Sequence, residues 1–293
     1  MVVFLIVLGV LVALYLIFLI IVQPHFILKA PKQTLEQSMA WQKERYDVSF
    51  YDALEKEDYS IASFDGYELH VEFLRNPDKT TKYMIISHGY TDNRIGSLKY
   101  GGMYLYLGFN VIIYDLRGHG LNRPERTTYG LLESKDLNSL IADTRSRYKD
   151  ISVLGLHGES LGAGTTITSL KYKPQVDFAV ADCGFEDMDH VVGRQFKFRF
   201  MYDLCDFGCK LQFGVSPKTM RPIDALEDNN IPVLFIHGED DKLIDPQNSI
   251  DMSNKTKGMS EVHLIKGAEH AYSIITDPVS YRKYVKDFIE KIC

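Results

Sequence analysis

Ile151-Ser-Val-Leu-Gly-Leu-His-Gly158-Glu159-Ser160-Leu161-Gly162-Ala163 is the stretch whose reading decides the fold. Ile151 to Leu156 is a short apolar run of strand length, and a helical stretch follows over 161–172. Between them, Gly158-Glu159-Ser160-Leu161-Gly162 has the G-x-S-x-G spacing. In that setting the glycines permit a tight strand-to-helix turn that lifts the serine hydroxyl into the open. The helix N-terminus then offers backbone N–H groups and a positive dipole end to a developing oxyanion. Ser160 is therefore the candidate nucleophile.

Working outward, the same alternation repeats on both sides. Strands are expected at Ser60–Phe64, Tyr67–Leu74, Tyr83–Ser87, Phe109–Tyr114, Ile151–Leu156, Val176–Ala181, Ile231–Ile236 and Val262–Lys266. Most are near-continuous apolar runs, as befits strands covered on both faces. Helical stretches near 94–107, 131–149, 161–172, 246–256 and 276–291 separate them. Asp65-Gly66 marks a hairpin between the first two strands. The expected fold is an α/β domain with one eight-stranded, mostly parallel sheet wrapped by helices. About forty residues between Gly184 and Pro222, rich in Phe and Met, break the rhythm; so long a connection is read as a lid.

A serine nucleophile requires a base, and the base an orienting acid. His270, in Gly267-Ala268-Glu269-His270 after the last strand, holds the position of the base. The strand Ile231–Ile236 runs into His237-Gly238-Glu239-Asp240-Asp241. The spacing favours Asp241 as the acid, with Asp240 and Asp182 as alternatives. The turn His88-Gly89-Tyr90 after the third strand should supply the second oxyanion donor, the N–H of Tyr90, beside that of Leu161. His88 and His119 are read as structural, and His157 and His237 as satisfied groups at strand ends.

These motifs, in order and together with Ile86-Ser87-His88-Gly89 and Tyr114-Asp115-Leu116-Arg117-Gly118-His119-Gly120, resemble the α/β-hydrolase superfamily over residues 60–292. The branch most similar is a bacterial, membrane-anchored, esterase-like group with ties to monoacylglycerol lipases and prolyl-type aminopeptidases. The resemblance implies ester or amide substrates, no cofactor and a Ser160–His270–Asp241 triad. It leaves the substrate open.

Val2 to Val22 has no charged residue and is almost wholly Val, Leu, Ile and Phe. At ~1.5 Å per residue it reaches ~32 Å, against a hydrocarbon core of ~30 Å. No basic residue precedes it and no small-x-small cleavage site follows it, which favours an uncleaved anchor over a signal peptide. Lys29 and Lys32, just beyond, bias the following domain towards the cytoplasmic side. The expected organisation is an anchor over 1–22, a connector over 23–59 with a helix from Gln33 to about Tyr46, and a catalytic domain over 60–293 with its lid at about 184–222.

The 293 residues carry a net charge of -6 with no basic stripe, which argues against nucleic-acid binding. Cys183, Cys205, Cys209 and Cys293 lack zinc-ligand spacing, so no metal is expected; a Cys205–Cys209 disulfide needs an oxidising compartment. The expected activity is hydrolysis of a small-molecule carboxylic ester through an acyl-enzyme. A peptidase using Glu186, Asp187 or Asp189 to hold an amino terminus is one alternative. A binding protein on the same scaffold is another, and a membrane-surface lipase, which the anchor and the apolar lid suggest, is a third.

Overall fold

All eight expected strands form, in one sheet. The structure is a computed structural model and describes residues 1–29 and 31–292, so Cys293 lies outside the described residues. The strands are β1 Lys56–Ala62, β2 Glu68–Leu74, β3 Lys82–Ser87, β4 Asn110–Tyr114, β5 Val153–Glu159, β6 Phe178–Asp182, β7 Val233–Gly238 and β8 Ser260–Ile265. Their spatial order is β1-β2-β4-β3-β5-β6-β7-β8. β2 is antiparallel to both β1 and β4, and every later pairing is parallel. β3 and β5 lie side by side, with Ser87 paired to Gly158. The turn after β3 and the turn after β5 therefore emerge together at the carboxyl edge of the sheet, where open α/β sheets place their ligands.

Alternation along the strands divides the core in two. Ile85, Ile112, Leu154, Leu156 and Phe235 face the layer that holds Leu137 and Leu140 of the helix Glu133–Arg147 and Ile167 of the helix Leu161–Ser169. Met84, Ile86, Val111, Ile113, Leu234 and Ile236 face the other layer, with Leu98 and Met103 of the helix Leu98–Tyr106 and Val285 and Phe288 of the helix Pro278–Ile292. The inner strands β3 to β7 are thus buried on both sides, which is why their sequences read as near-continuous apolar runs, whereas the edge strands β1 and β8 are largely exposed or half-buried.

The insertion between β6 and β7 is helical. It contains Met188–Gly193, Arg199–Phe213 and two short 3-10 turns, Pro217–Thr219 and Pro222–Ala225. Cys183, Cys205 and Cys209 are free, buried thiols. The connector helix is shorter than expected, Leu35–Lys43, begun by a capping box between Thr34 and Gln37. A five-residue helix, Ser49–Ala53, had no sequence signal.

The apolar N-terminal segment is one unbroken helix from Val2 to Leu28, with a mean hydropathy of 3.4 in its most apolar window. A π-helical turn occupies Phe18–Val22. It continues past Val22 and changes character on the way. Nearly every residue from Val2 to Phe18 is exposed, whereas Leu19, Pro24, Ile27 and Leu28 are buried against the rest of the chain.

Candidate active site

β5 ends at Glu159 and the next helix begins at Leu161, which leaves Ser160 alone at the corner with φ 53° and ψ -110°. A left-handed φ in a serine costs free energy that the surroundings must supply. Here they do. Ser160 donates its backbone N–H to the Asp182 carbonyl on β6 at 2.8 Å, and its own carbonyl receives Gly164 N–H at 3.0 Å. A side chain at Gly158 would strike the Gly162 carbonyl, and one at Gly162 would strike the Ser87 carbonyl. Those two close approaches explain both glycines of the motif. Thr91 (φ 66°), Tyr129 (φ 46°) and Ala271 (φ 63°) carry the same strain, each at or next to a residue of this site.

The three residues expected to act together are together. His270 Nε2 lies 2.9 Å from Ser160 Oγ, and His270 Nδ1 lies 2.7 Å from Asp241 Oδ2. The competition among carboxylates after β7 is resolved by burial: Asp241 is 6% exposed, while Glu239 and Asp240 face solvent. Asp241 Oδ1 accepts the backbone N–H groups of Leu243 and Ile244, both at 2.9 Å. Burial pushes this carboxyl up, but hydrogen bonds from His237 and His270 outweigh it, and the net effect holds Asp241 well below the usual carboxylate range. It stays ionised beside the imidazole, as an orienting acid must. Asp182, the alternative acid, lies elsewhere in the network; its Oδ2 accepts the hydroxyls of Tyr100 at 2.9 Å and Tyr281 at 3.0 Å.

Ser160, Leu161 and Tyr90 share the wall of a cavity of about 280 Å³. Leu161 is the first residue of its helix, where backbone N–H groups have no intrahelical partner. Tyr90 follows Gly89 in the turn after β3. Both expected oxyanion donors therefore border the space above Ser160 Oγ. The remaining lining is apolar or uncharged, chiefly Phe185, Met188, Val192 and Ile244, with Gln195 at one side.

The other histidines are structural. His88 Nδ1 donates to the Gly89 carbonyl at 2.8 Å and its Nε2 accepts Leu116 N–H at 2.9 Å, which braces the turn under Tyr90. His119 Nδ1 meets the Arg117 carbonyl at 2.9 Å, and His157 Nδ1 meets the Tyr104 hydroxyl at 3.0 Å. Burial lowers all three, His157 to about 3, so they stay neutral.

Three features of the site had no local sequence signal. His237, read as a satisfied strand-end group, places Nε2 3.1 Å from Asp241 Oδ2 and 3.0 Å from the Ile244 carbonyl. Behind the nucleophile, Lys99 pairs with Glu159 in the interior, and Tyr100 donates to Glu159 Oε2 at 2.6 Å. Burial and then the neighbouring Glu159 charge push the Asp182 carboxyl up to about 6. Lastly, Gln23, Phe26 and Ile27 of the N-terminal helix form part of the cavity wall. Tyr90 and Tyr129 hold that helix by donating their hydroxyls to the Ile27 carbonyl at 2.9 and 2.6 Å, and Thr127 N–H bonds the Leu28 carbonyl at 2.8 Å. These carbonyls belong to the last helical turn, where the helix supplies no N–H donors of its own.

Comparison with known proteins agrees with this geometry. Residues 97–292 match the model of the prolyl oligopeptidase family. YqkD, an uncharacterized protein of Bacillus subtilis (strain 168), is 32% identical over 288 residues, 93% of this chain and 92% of its own. The fold resembles that of the Pyrococcus furiosus esterase Pf2001 (TM-score 0.69, 22% identity, 84% of this chain and 94% of that one). It also resembles Pyrococcus horikoshii acylaminoacyl peptidase (TM-score 0.63, 16% identity, 82% of this chain and 42% of that one). With its eight-stranded sheet and helical insertion, the chain belongs to the prolyl oligopeptidase family within the α/β-hydrolase superfamily and is a serine hydrolase.

Proposed function

We propose that the protein is a membrane-tethered carboxylic ester hydrolase that forms an acyl-enzyme on Ser160. The observation that carries this reading is the unbroken path Ser160 Oγ–His270–Asp241 opening into a cavity lined, among the described residues, by no charged side chain. An uncharged, largely apolar pocket complements an acyl group. Glu186, Asp187 and Asp189, which a peptidase could use to hold an amino terminus, are otherwise engaged and none lines the cavity. Asp189 forms a bidentate pair with Arg199, while Glu186 and Asp187 face His190.

In this mechanism His270 Nε2 takes the Ser160 proton as Oγ attacks the ester carbonyl. Asp241 accepts His270 Nδ1–H and stabilises the imidazolium. The N–H groups of Tyr90 and Leu161 hold the oxyanion, each such donor being worth about 3 kcal/mol in a comparable hydrolase. His270 then gives its proton to the leaving alkoxide. Water attacks the acyl-enzyme with His270 again as base, and Ser160 is regenerated. The exposed helix Val2–Phe18 is the membrane anchor in this reading.

A panel of short and medium acyl esters, aminoacyl amides and N-acyl peptides, run with wild type and Ser160→Ala, tests the substrate class. Ester turnover that exceeds amide turnover and vanishes in Ser160→Ala supports the proposal. Peptide or aminoacyl amide turnover well above ester turnover would replace it with a peptidase.

A further inference from the structure

We infer that the lid helix Arg199–Phe213 is a second membrane contact, which sets the mouth of the Ser160 cavity at the bilayer surface so that an acyl ester enters from the leaflet. This rests on the anchored hydrolase reading and adds to it a surface, an occupant and a substrate class.

The position of the bilayer follows from where the N-terminal helix becomes buried. Met1 to Phe18 is its exposed part; 18 helical residues span ~27 Å, close to one hydrocarbon thickness. Leu19 is 2% exposed, so the edge of the hydrocarbon falls at the turn Phe18–Val22. The lid helix is fastened at that turn. Gly208 meets the Ile20 carbonyl so closely that any side chain there would collide with it. Gln212 Nε2 donates to the Ile20 carbonyl at 2.7 Å, and Gln212 Oε1 lies 3.0 Å from His25 Nε2. Phe213 makes an edge contact with the His25 ring at 5.0 Å. Gly208 against Ile20 and Phe213 against His25 seat the C-terminal half of the lid helix on the turn Phe18–Val22 and the helical turn after it, at the level of the hydrocarbon edge.

What the lid helix shows on its outer side fits an acyl–headgroup boundary. Phe200, Leu204, Phe207 and Leu211 follow one another at helical spacing. Phe200, Phe207 and Leu211 are 56%, 54% and 64% exposed, and Phe198, 52% exposed, stacks on Phe200. Lys197, Arg199 and Lys210 stand beside them, exposed, Arg199 paired with Asp189 and Asp203 and Lys210 with Asp206. Aromatic and aliphatic side chains on one face with basic residues at its margins mark an interfacial helix. The patch is continuous with the lipid-facing part of the anchor, which commits its occupant to the bilayer.

The cavity lies just inside this boundary. Gln23, Phe26 and Ile27 line it, all within about one and a half helical turns of Val22, or roughly 8 Å. Its volume of about 280 Å³ is that of a small-molecule site, and its lining by Phe26, Ile27, Phe185, Met188 and Val192 suits an acyl chain.

The test uses the full chain in phosphatidylcholine vesicles. Phe207→Trp, made in a Trp41→Phe background, should be quenched by phosphatidylcholine brominated on its acyl chains. A tryptophan there that brominated lipid leaves unquenched overturns the proposal, whatever the enzyme's activity. The triple variant Phe200→Ser/Phe207→Ser/Leu211→Ser should keep wild-type turnover of water-soluble p-nitrophenyl acetate. Its turnover of p-nitrophenyl decanoate embedded in the vesicles should fall by roughly tenfold. Equal turnover of the embedded ester by variant and wild type contradicts the proposal. Failure of the wild type to hydrolyse either ester counts against the hydrolase reading alone, and failure to float with vesicles counts against the anchor alone.

Discussion

His237 Nε2 points at Asp241 Oδ2 from 3.1 Å, and the same oxygen receives His270 Nδ1–H at 2.7 Å. One carboxylate oxygen thus organises two imidazoles. Because His237 Nε2 faces two acceptors, Asp241 and the Ile244 carbonyl, it carries the proton. Ser249 Oγ, 2.7 Å from Nδ1, is then the donor that fixes this tautomer. A charge-assisted hydrogen bond of this kind contributes about 1.5–3 kcal/mol. His237→Leu should therefore cost about 2 kcal/mol of stability and lower kcat by roughly tenfold. His237→Gln, which can still donate, should recover much of both. Denaturant titration and steady-state kinetics on the two variants check this.

Asp241 also makes stability depend on pH. Its folded-state pKa lies below the ordinary carboxylate value, so its contribution is present above about pH 4 and is lost as pH falls towards the folded value. Asp241→Asn should be less stable than wild type at pH 7, and the gap should narrow below about pH 4. Its turnover should fall by roughly 10⁴-fold, because an amide can present the wrong group to His270 Nδ1.

Asp182 predicts the opposite trend. Its carboxyl is raised to about 6, so between about pH 4 and 6 the unfolded chain has released a proton that the folded chain still holds. Stability from this group is present at low pH and is lost as pH rises through that window. Asp182→Asn keeps an acceptor for Tyr100 and Tyr281 without the charge. Relative to wild type, it should gain stability between pH 4.5 and 7.5, as measured by denaturant midpoints at both values.

Lys99 and Glu159 form a buried pair directly beside the nucleophile, with side chains 5% and 9% exposed. Removing one partner strands the other charge, a loss of about 3–5 kcal/mol, whereas replacing both is far milder. Lys99→Met should destabilise by about 3 kcal/mol, and Lys99→Met/Glu159→Gln should recover most of it. A double-mutant cycle by chemical denaturation gives the coupling directly. Little coupling between the two sites would mean that water, rather than the partner, satisfies each charge.

How far the chain could be read in advance depended on range. The inner strands were legible because burial on both faces writes an apolar run, and the exposed first strand because Asp65-Gly66 marks its hairpin. Ser160 and His270 were legible because each sits at a loop that its own strand delivers to one edge of the sheet. Asp241 could be favoured over Asp240 by spacing, but the decision came from burial, which a linear reading cannot supply. His237 was legible as a satisfied strand-end group, but not its carboxylate partner, because a histidine ending a strand has the same local signature whether it touches a carboxylate or a backbone carbonyl. The Lys99–Glu159 pair joins residues 60 positions apart across two helices and a strand end. The N-terminal helix is legible as long and apolar enough to cross a membrane, yet nothing local revealed that Gln23, Phe26 and Ile27 would wall the cavity. That contact depends on Tyr90 and Tyr129, whose hydroxyls reach back to the Ile27 carbonyl.

The account stands on Ser160 as the activated nucleophile, and covalent labelling tests it most directly. Wild-type protein treated with a fluorophosphonate probe, digested and mapped by mass spectrometry should carry one adduct on Ser160, formed with a rate that falls on His270→Ala. Ser160→Ala should take up no probe and turn over no ester. A wild type that resists the probe, or a Ser160→Ala variant that retains ester turnover, would contradict it.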